Sequence, residues 1–217
     1  IKKAGDIPEI RDSLRIMEKN TVRLVDLTNQ LLDFRQTEIK GFSLNFTKEN
    51  IAELMEDTFI GFKPLAEQKN LQFTLGPLPP KLYAFIDTEA FNKILTNVFS
   101  NAVKYAKSKV EVYILPLKEG DKMFTIEVKN DGYIIPYEMK EKIFEPFFRL
   151  KETEKQKGTG IGLALSRSLT QLHKGVLDLK ESENNMNVFF ITMPVHQDEE
   201  PNTFAEEKIP ATTVKNV

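Results

Sequence analysis

Several residue types are scarce or absent in this sequence, and each absence narrows the functions open to it. None of the 217 residues is cysteine, which excludes disulfides and thiolate metal sites and is compatible with a reducing compartment. The two histidines, His173 and His196, are too few for a multi-histidine metal centre. No apolar run approaches the roughly 20 residues of a membrane span. The net charge of −2 gives no sign of a nucleic-acid-binding surface.

The first forty residues carry the repeat of a long amphipathic helix. Hydrophobic side chains recur at a spacing near 3.5 over residues 7–37, at Ile10, Leu14, Met17, Leu24, Leu27, Leu31 and Phe34. A rod of about 45 Å with a wide apolar stripe needs partner helices, which favours a bundle or coiled coil. The alternative is a long helix that packs on its own domain.

After Gly41 the pattern changes to alternating strands and helices. Strands are predicted at residues 42–46, 71–75, 82–86, 110–115, 123–129, 176–180 and 188–193, the last two as a hairpin over Asn184 and Asn185. Helices are predicted at 49–68, 87–106, 138–143 and 160–172. From His196 on, the sequence is acidic and poor in apolar residues, as in a linker or disordered tail.

The stretch Gly158-Thr159-Gly160-Ile161-Gly162-Leu163 has glycine at every second position and leads into an apolar helix. Glycines let a ligand approach the backbone, and a helix start offers free N–H groups to an anion such as phosphate. It is neither a Walker loop, which needs Gly-Lys-Ser/Thr, nor a dinucleotide fingerprint, which needs a strand before it. A flexible glycine turn before a helix is the alternative.

The helix predicted at 87–106 has a polar side opposite its apolar one. Asn97, Asn101 and Lys104 fall within roughly 60° of one another at 100° per residue. An Asn oxygen is a hard ligand suited to Mg²⁺, and a lysine one turn along can meet a phosphate. The alternative is a plain solvated face.

Two further segments complete the pattern. Asn130-Asp131-Gly132-Tyr133-Ile134-Ile135-Pro136 follows a strand and could aim a polar side chain at a purine amino group, or could be a tight turn. Phe144-Glu145-Pro146-Phe147-Phe148-Arg149 could anchor a polar loop by its phenylalanines, or could be ordinary core.

In order and spacing, these segments resemble the ATP-binding catalytic domain of sensor histidine kinases, within the superfamily of chaperone, mismatch-repair and topoisomerase ATPases. Residues 97–106 resemble the asparagine box, 130–136 the first glycine box, 144–148 the phenylalanine box and 158–163 the second glycine box. Residues 27–35 are similar to the second helix of the family's dimerisation and histidine-phosphotransfer hairpin.

The resemblance implies an α+β fold, a two-layer α/β sandwich with a mixed or antiparallel sheet and helices on one face, preceded by a long bundle-forming helix. It divides the chain into a partial dimerisation and phosphotransfer region at 1–40, an ATP-binding catalytic domain at 41–195 and an acidic linker or disordered tail at 196–217.

The resemblance also implies the cofactors ATP and Mg²⁺, with Asn101 as the metal ligand. Lys104 and Tyr105 would face the phosphates or ribose, residue 130 would read the adenine amino group, Gly132 would let the base approach, and 149–158 would form a lid. The full ATP-binding set would be Asn97, Asn101, Lys104, Tyr105, Asn130, Gly132, Ile135, Arg149, Gly158, Thr159, Gly160, Ile161, Gly162 and Leu163.

Two positions depart from the family pattern, which has Asp where Asn130 stands and Gly where Ile134 stands. Losing the charge-assisted bond to adenine predicts weaker ATP binding, by about 1–2 kcal/mol. The phosphoacceptor histidine is expected upstream of Ile1. His173, at the end of a predicted helix, is expected to be structural, because a cation is favourable at a helix C-terminus.

Three functions remain after the resemblance. The first is a protein-histidine kinase part that transfers the γ-phosphoryl of Mg-ATP to an upstream histidine. A hydrolytic ATPase is disfavoured, because Asn97 stands where those enzymes have a Glu to activate water. A degenerate nucleotide-binding or dimerisation module remains the alternative.

The resemblance implies a homodimer through the N-terminal helix and a response regulator or fused receiver domain as partner. No nucleic acid and no direct membrane contact are expected. The fragment is expected to be the cytoplasmic portion of a membrane-bound sensor.

Overall fold

The computed structural model describes residues 7–39, 43–118, 120–153, 156 and 158–197. The change of pattern at Gly41 and nearly all of the predicted tail lie outside the described residues. The helices and strands, in chain order, are α1 (Ile7–Glu38), β1 (Thr47–Asn50), α2 (Ile51–Gln68), β2 (Gln72–Leu75), β3 (Tyr83–Ile86), α3 (Thr88–Tyr105), β4 (Lys109–Ile114), β5 (Met123–Asn130), α4 (Gly162–Leu172), β6 (Val176–Glu183) and β7 (Met186–Pro194).

Five of the strands form a mixed sheet in the order β2-β4-β5-β7-β6. The β2–β4 pair is parallel and the other pairs are antiparallel. The β6–β7 hairpin turns at Asn184 and Asn185, whose φ angles of 51° and 59° are those that Asn tolerates best among residues with a side chain. The predicted hairpin is therefore confirmed.

Helices α2, α3 and α4 cover one face of this sheet, and the core lies between the two layers. Every second residue of β4 is buried, as expected for a strand with one covered face. Phe91, Phe99 and Phe124 are among the largest fully buried side chains of the core. The predicted α+β sandwich is confirmed.

His173 joins the ends of two helices inside this core. Its Nδ1–H donates to the Leu169 carbonyl (2.7 Å), and its Nε2 accepts the backbone N–H of Asp87 (3.1 Å), the residue that caps α3. Burial lowers the pKa of His173, so the ring is neutral. The predicted structural role is confirmed, but its basis is a pair of hydrogen bonds rather than a favourable charge.

The strand predicted at 42–46 is wrong in position. The described part of that segment, residues 43–46, is unpaired, and the strand is Thr47–Asn50, antiparallel to β3. Residue 47 pairs with Ile86, and the chain then enters α3, so no strand remains for residues 43–46 to pair with. Leu44 still packs against the core, which explains the alternation that suggested a strand.

Two helix predictions also change in detail. The helix predicted at 138–143 is two single turns of 3₁₀-helix, Tyr137–Met139 and Lys142–Phe144. The helix predicted from residue 160 begins at Gly162. Gly160 has a φ of +76°, which a right-handed helix cannot include.

The long N-terminal helix is confirmed as α1. Large apolar side chains in its first two thirds are exposed, including Leu14 (60%), Met17 (64%) and Leu24 (63%). Leu27 and Phe34, nearer its end, pack against the core of the α+β layer. None of the described helices combines the length and apolarity that crossing a membrane requires.

Candidate functional site

A cavity of about 250 Å³ opens between α3, the glycine-rich segment before α4, the end of β5 and the segment 143–153. On its α3 side it is lined by the polar residues Asn97, Ser100, Asn101, Lys104 and Tyr105. The polar side predicted for this helix therefore faces a cavity rather than open solvent. Its opposite side supplies buried core residues such as Leu95 and Phe99, so one helix both completes the core and lines the site.

The glycine-rich segment runs antiparallel to α3 along this polar side. A Cβ atom placed on Gly158 would lie 2.6 Å from Lys104 Nζ, and one placed on Gly162 would lie 3.3 Å from Asn97 Oδ1. The two ends of the segment thus lie beside residues of α3 that are about two helical turns apart. The structure brings together the two segments that the sequence singled out separately.

Gly160 is the position in this segment where glycine is required. Its φ is +76°, and an added Cβ would lie 2.8 Å from the backbone carbon atoms of Phe147. Its carbonyl accepts the N–H of Phe147 at 2.9 Å. The phenylalanine-rich segment therefore holds the glycine-rich segment at its midpoint, with no room for a side chain between them.

Asn97 and Asn101 are not equivalent. The Nδ2 of Asn97 donates to the Gly162 carbonyl (3.3 Å) and to Ser166 Oγ (3.2 Å), so this side chain ties α3 to the start of α4. Asn101 lines the cavity and has no side-chain hydrogen bond to any described residue. Its amide oxygen is available to a ligand.

Asn101 also bears on whether Mg²⁺ fits this site. Among the described residues, no group of three or more His, Asp or Glu could hold a metal ion. Mg²⁺ on nucleotide phosphates needs only one or two protein oxygens, the remaining ligands being phosphate and water. One unengaged amide oxygen beside the glycine-rich segment meets that requirement.

The C-terminal end of α3 is positively charged. Lys104 Nζ lies 2.7 Å from the Tyr105 hydroxyl and 4.3 Å from the centre of that ring. Lys69 donates to the carbonyls of Val103 (3.0 Å) and Lys104 (2.9 Å), which caps the helix. Desolvation, and then the nearby charge of Lys104, lower the pKa of Lys69. This end of the cavity suits an anionic ligand.

At the other end of the cavity, Asn130 and Asp131 have opposite surroundings. Asn130 is only 3% exposed, lines the cavity and has no side-chain hydrogen bond within the described residues. Asp131 accepts the N–H groups of Lys107, Ser108 and Lys109 and the Ser108 hydroxyl. Although desolvation alone would raise it, these hydrogen bonds lower the pKa of Asp131 to about 2. The carboxylate anchors the start of β4 and does not line the cavity.

Sequence reasoning missed Asn187, which lies opposite Asn130 in the β5–β7 register. Its Oδ1 accepts the N–H of Ile135 (2.8 Å), and its Nδ2 donates to the Tyr133 carbonyl (2.9 Å). Asn187 therefore fixes the loop after β5. Its position in the sequence gives no sign of this role, because only the pairing of β7 with β5 brings it there.

Gln30 of α1 was also missed. It lines the cavity and accepts a hydrogen bond from the Thr159 hydroxyl at 2.8 Å. One turn along α1, Asp33 forms a salt bridge with Lys93 of α3 at 3.1 Å. The N-terminal helix is thus in direct contact with the glycine-rich segment.

Of the fourteen predicted ATP-binding residues, all but Gly132 and Ile161 line the cavity. Ile161 is fully buried in the core. A Cβ on Gly132 would lie 2.3 Å from the Tyr105 carbonyl oxygen, so this glycine lets the end of β5 pack against the end of α3. Arg149 lines the cavity and donates from Nη2 to the Gln156 carbonyl.

This arrangement, a glycine-rich segment packed along an Asn-bearing helix on an α+β sandwich, agrees with the comparison with known families. The chain belongs to the family of histidine kinase-, DNA gyrase B- and HSP90-like ATPases, which matches residues 86–197.

Individual relatives are named histidine kinases. The chain is 28% identical over 190 residues to the sensor histidine kinase WalK of Bacillus subtilis, covering 86% of this chain and 31% of WalK. It is 26% identical over 192 residues to histidine kinase P4 of Formosa agariphila, covering 86% of this chain and 14% of that protein. The chain therefore spans less than a third of the length of either relative.

Solved structures of histidine kinases are also similar to this chain. The catalytic domain of histidine kinase ThkA is similar with a TM-score of 0.62 and 28% identity, over 70% of this chain and 97% of that domain. Full-length ShkA, solved in complex with AMPPNP, shares the fold with a TM-score of 0.73 over 86% of this chain and 39% of its own, at 22% identity.

Proposed function

We propose that this chain is the Mg-ATP-binding catalytic part of a sensor histidine kinase, which transfers the γ-phosphoryl group of ATP to a histidine upstream of this sequence. The observation that carries the proposal is the antiparallel packing of the glycine-rich segment along the polar side of α3, with Gly158 beside Lys104 and Gly162 beside Asn97. Backbone amides and a cation at one end of a cavity are the groups that a polyphosphate requires.

In this proposal the residues of the cavity bind and orient the nucleotide. Asn101 would hold Mg²⁺, which when bound neutralises charge on the transferring phosphoryl group. Lys104 and the amides of the glycine-rich segment would hold the phosphates. Asn130 would face the purine, between apolar walls that include Ile135 and Phe189. Positioning and charge neutralisation are the main contributions to catalysis of phosphoryl transfer.

A hydrolytic ATPase is less well supported. A general base for water would need a carboxylate or imidazole within reach of the phosphates. Asn97 cannot accept a proton, and its amide is engaged with Gly162 and Ser166.

The proposed acceptor lies outside this sequence, and neither histidine within it is an exposed residue of a described helix. His173 is fully buried, with both ring nitrogens hydrogen-bonded. His196 follows the last strand and lies beside Phe85, with ring centroids 6.1 Å apart.

The proposal extends to partners and location. The exposed apolar side chains of α1 would pair with a second copy of the chain and with the upstream helix. A response regulator or receiver domain would take the phosphoryl group; the solved relative ThkA is described in complex with a response regulator. The parent protein would be a membrane-bound sensor with this part in the cytoplasm.

Titration calorimetry with Mg-ADP tests the site. We expect Asn101→Ala to weaken binding at least tenfold, because it removes the only proposed metal ligand. The matched control is Asn92→Ala, which changes an exposed Asn on the same helix and should bind as the unchanged chain does. Equal affinities for the Asn101 and Asn92 variants would remove the site assignment.

A second measurement tests the reaction itself. A longer chain that includes the upstream segment, incubated with labelled ATP, should acquire acid-labile phosphate. The same longer chain with Asn101→Ala should acquire none. Saturable nucleotide binding without phosphate incorporation would favour the degenerate-module alternative. No saturable binding at millimolar nucleotide would contradict the proposed function altogether.

A further inference from the structure

We propose that this site accepts purine nucleotides with a 6-oxo group as well as those with a 6-amino group, because the side chain available to read the base is the amide of Asn130. The inference rests on the proposed function, in that it places a purine against residue 130. It concerns selectivity between bases, which that function leaves open.

The Asn130 side chain has no hydrogen-bond partner among the described residues, although the residue is largely buried. It is 3% exposed, lines the cavity and has no side-chain hydrogen bond to any described residue. Its polar atoms are not among the fully enclosed ones, so they are accessible from the cavity and a ligand there can pair with them. A Cβ atom added to Gly132 would lie 2.8 Å from Asn130 Nδ2. Gly132 therefore provides the space that this amide occupies.

The polar side chains next to Asn130 are already hydrogen-bonded to the protein. Asp131 is held by the amides at the start of β4. The Asn187 amide is hydrogen-bonded through both its oxygen and its nitrogen to the loop after β5. These bonds also occupy the Ile135 N–H and the Tyr133 carbonyl. No Asp or Glu is among the described residues that line the cavity. The base would thus be read by an amide, with no carboxylate of the described residues lining the cavity.

The amide of Asn130 carries both a hydrogen-bond donor and an acceptor. A 180° rotation about its last torsion exchanges the Oδ1 acceptor with the Nδ2 donor. Adenine presents an amino donor at position 6 and an acceptor at ring nitrogen 1, whereas hypoxanthine presents the reverse, an oxygen acceptor and an N–H donor. Asn130 can match either pattern by this rotation, and no backbone movement is needed.

A carboxylate at the same position would not have this freedom, since it only accepts hydrogen bonds. In the position that reads a 6-amino group, a carboxylate oxygen would face the oxygen of a 6-oxo base, acceptor against acceptor, and neither would be paired there. Sites that leave a buried polar group unpaired reject the wrong ligand strongly, whereas apolar walls such as Ile135, Phe148 and Phe189 discriminate weakly between rings of equal shape. The identity of residue 130 therefore sets the selectivity.

The experiment compares Mg-ADP with Mg-IDP, the inosine nucleotide, by titration calorimetry on the chain as it is. We expect the two dissociation constants to agree within about tenfold. Asn130→Asp should raise the ratio of the IDP to the ADP dissociation constant at least a further tenfold, with ADP bound as well or better. Asn92→Asp adds the same charge at an exposed position of α3 and should leave the ratio unchanged.

The outcomes separate this inference from the function on which it rests. ADP binding with IDP clearly more than tenfold weaker in the unchanged chain would overturn the inference and leave the nucleotide site standing. An unchanged ratio in a folded Asn130→Asp variant would also overturn it. Failure of the unchanged chain to bind either nucleotide would overturn both.

Discussion

Asn130 and Asp131 are adjacent, nearly isosteric residues, and they have opposite roles. Alternation along a strand and the turn after it send one side chain into the cavity and the other onto the start of β4. The carboxylate meets three backbone N–H groups, which suit its acceptor-only chemistry. The amide remains where a ligand can meet both its donor and its acceptor.

Asp131→Asn should therefore destabilise the fold. An amide presents one acceptor oxygen, and its NH₂ group would face backbone donors, so we expect the free energy of unfolding at pH 7 to fall by about 1–3 kcal/mol. Urea unfolding measures this loss. Asp121→Asn is the matched control, since Asp121 is exposed and accepts one N–H, from Lys118 at 2.7 Å. Its loss should stay below about 0.5 kcal/mol.

The free energy of unfolding of the Asp131→Asn variant should also depend on pH differently from that of the unchanged chain. The folded-state pKa of Asp131, about 2, lies below the value of about 3.9 for a free Asp. The stabilisation is thus complete above about pH 4 and is lost as the pH falls toward 2. Stability of the Asp131→Asn variant should change less over that window. If stability depended on pH in the same way in the variant and the unchanged chain, the hydrogen-bonded carboxylate of Asp131 would not be the group that titrates there.

Single residues were predictable where local geometry decides their position. The polar side of α3 follows from the 100° step of a helix, and Asn97, Asn101 and Lys104 do line the cavity together. Asn187 and Gln30 were not predictable, because strand register and the docking of α1 bring them there. Ile161 shows the converse, since it lies within the glycine pattern but points into the core.

At the scale of elements, the site depends on two irregular segments that lock each other. Gly160 and Phe147 both have positive φ, 76° and 66°, and are joined by a backbone hydrogen bond. Phe147 is 61% exposed, so burial of its ring does not stabilise this conformation. The contact between the two backbones fixes where the amides of the glycine-rich segment point.

Gly160→Ala should therefore weaken Mg-ADP binding at least tenfold in titration calorimetry. Any side chain at φ +76° is strained, by about 1–2 kcal/mol, and here the new Cβ would also meet the Phe147 backbone at 2.8 Å. Gly120→Ala separates the two effects, because Gly120 has a φ of +88° but a Cβ added there would have no non-neighbouring atom within 4 Å. That variant should lose stability from strain alone and keep its affinity. Equal affinities in both variants would contradict the proposed role of the contact.

The elements themselves were largely predictable, because most of them carry a clear period. The five strands of the mixed sheet were each placed to within a few residues, as were α2 and α3. Two predicted elements differ from the structure in position. Residues 43–46 have the alternation of a strand but no partner strand, and the start of α4 depends on the φ of Gly160, which the sequence does not reveal.

At the scale of the whole molecule, α1 connects the exposed apolar stripe to the site. Gln30 accepts from Thr159 of the glycine-rich segment, and Asp33 pairs with Lys93 of α3. A shift of α1 along or about its axis would change both contacts. The proposed signal from an upstream sensor would thus reach the nucleotide site through a helix that touches it directly.

The two helices of the site are joined at their far ends by His173, which makes the stability of the whole domain depend on pH. Its neutral ring donates to Leu169 at the end of α4, accepts from Asp87 at the start of α3 and meets the Phe46 ring edge-on at 5.6 Å. Desolvation lowers the pKa of His173 from 6.5, so below that pH the unfolded chain binds a proton that the folded chain does not. The contribution of His173 to the free energy of unfolding is therefore fully present above about pH 7 and declines as the pH drops below 6.5.

We expect the free energy of unfolding, measured in urea between pH 7.5 and 5.5, to decline by up to about 1.4 kcal/mol per pH unit from this one group. His173→Gln should be less stable at pH 7.5, by about 1–3 kcal/mol, yet should lose much of this slope because no proton is taken up at residue 173. Thr170→Val is the matched control: it removes a buried hydrogen bond to the Ser166 carbonyl in the same helix without removing a titratable group. It should lower stability at every pH and keep the slope of the unchanged chain. If His173→Gln kept the full slope, the pH dependence would have to arise elsewhere, and the ring would not be the neutral link between α3 and α4 that its two hydrogen bonds imply.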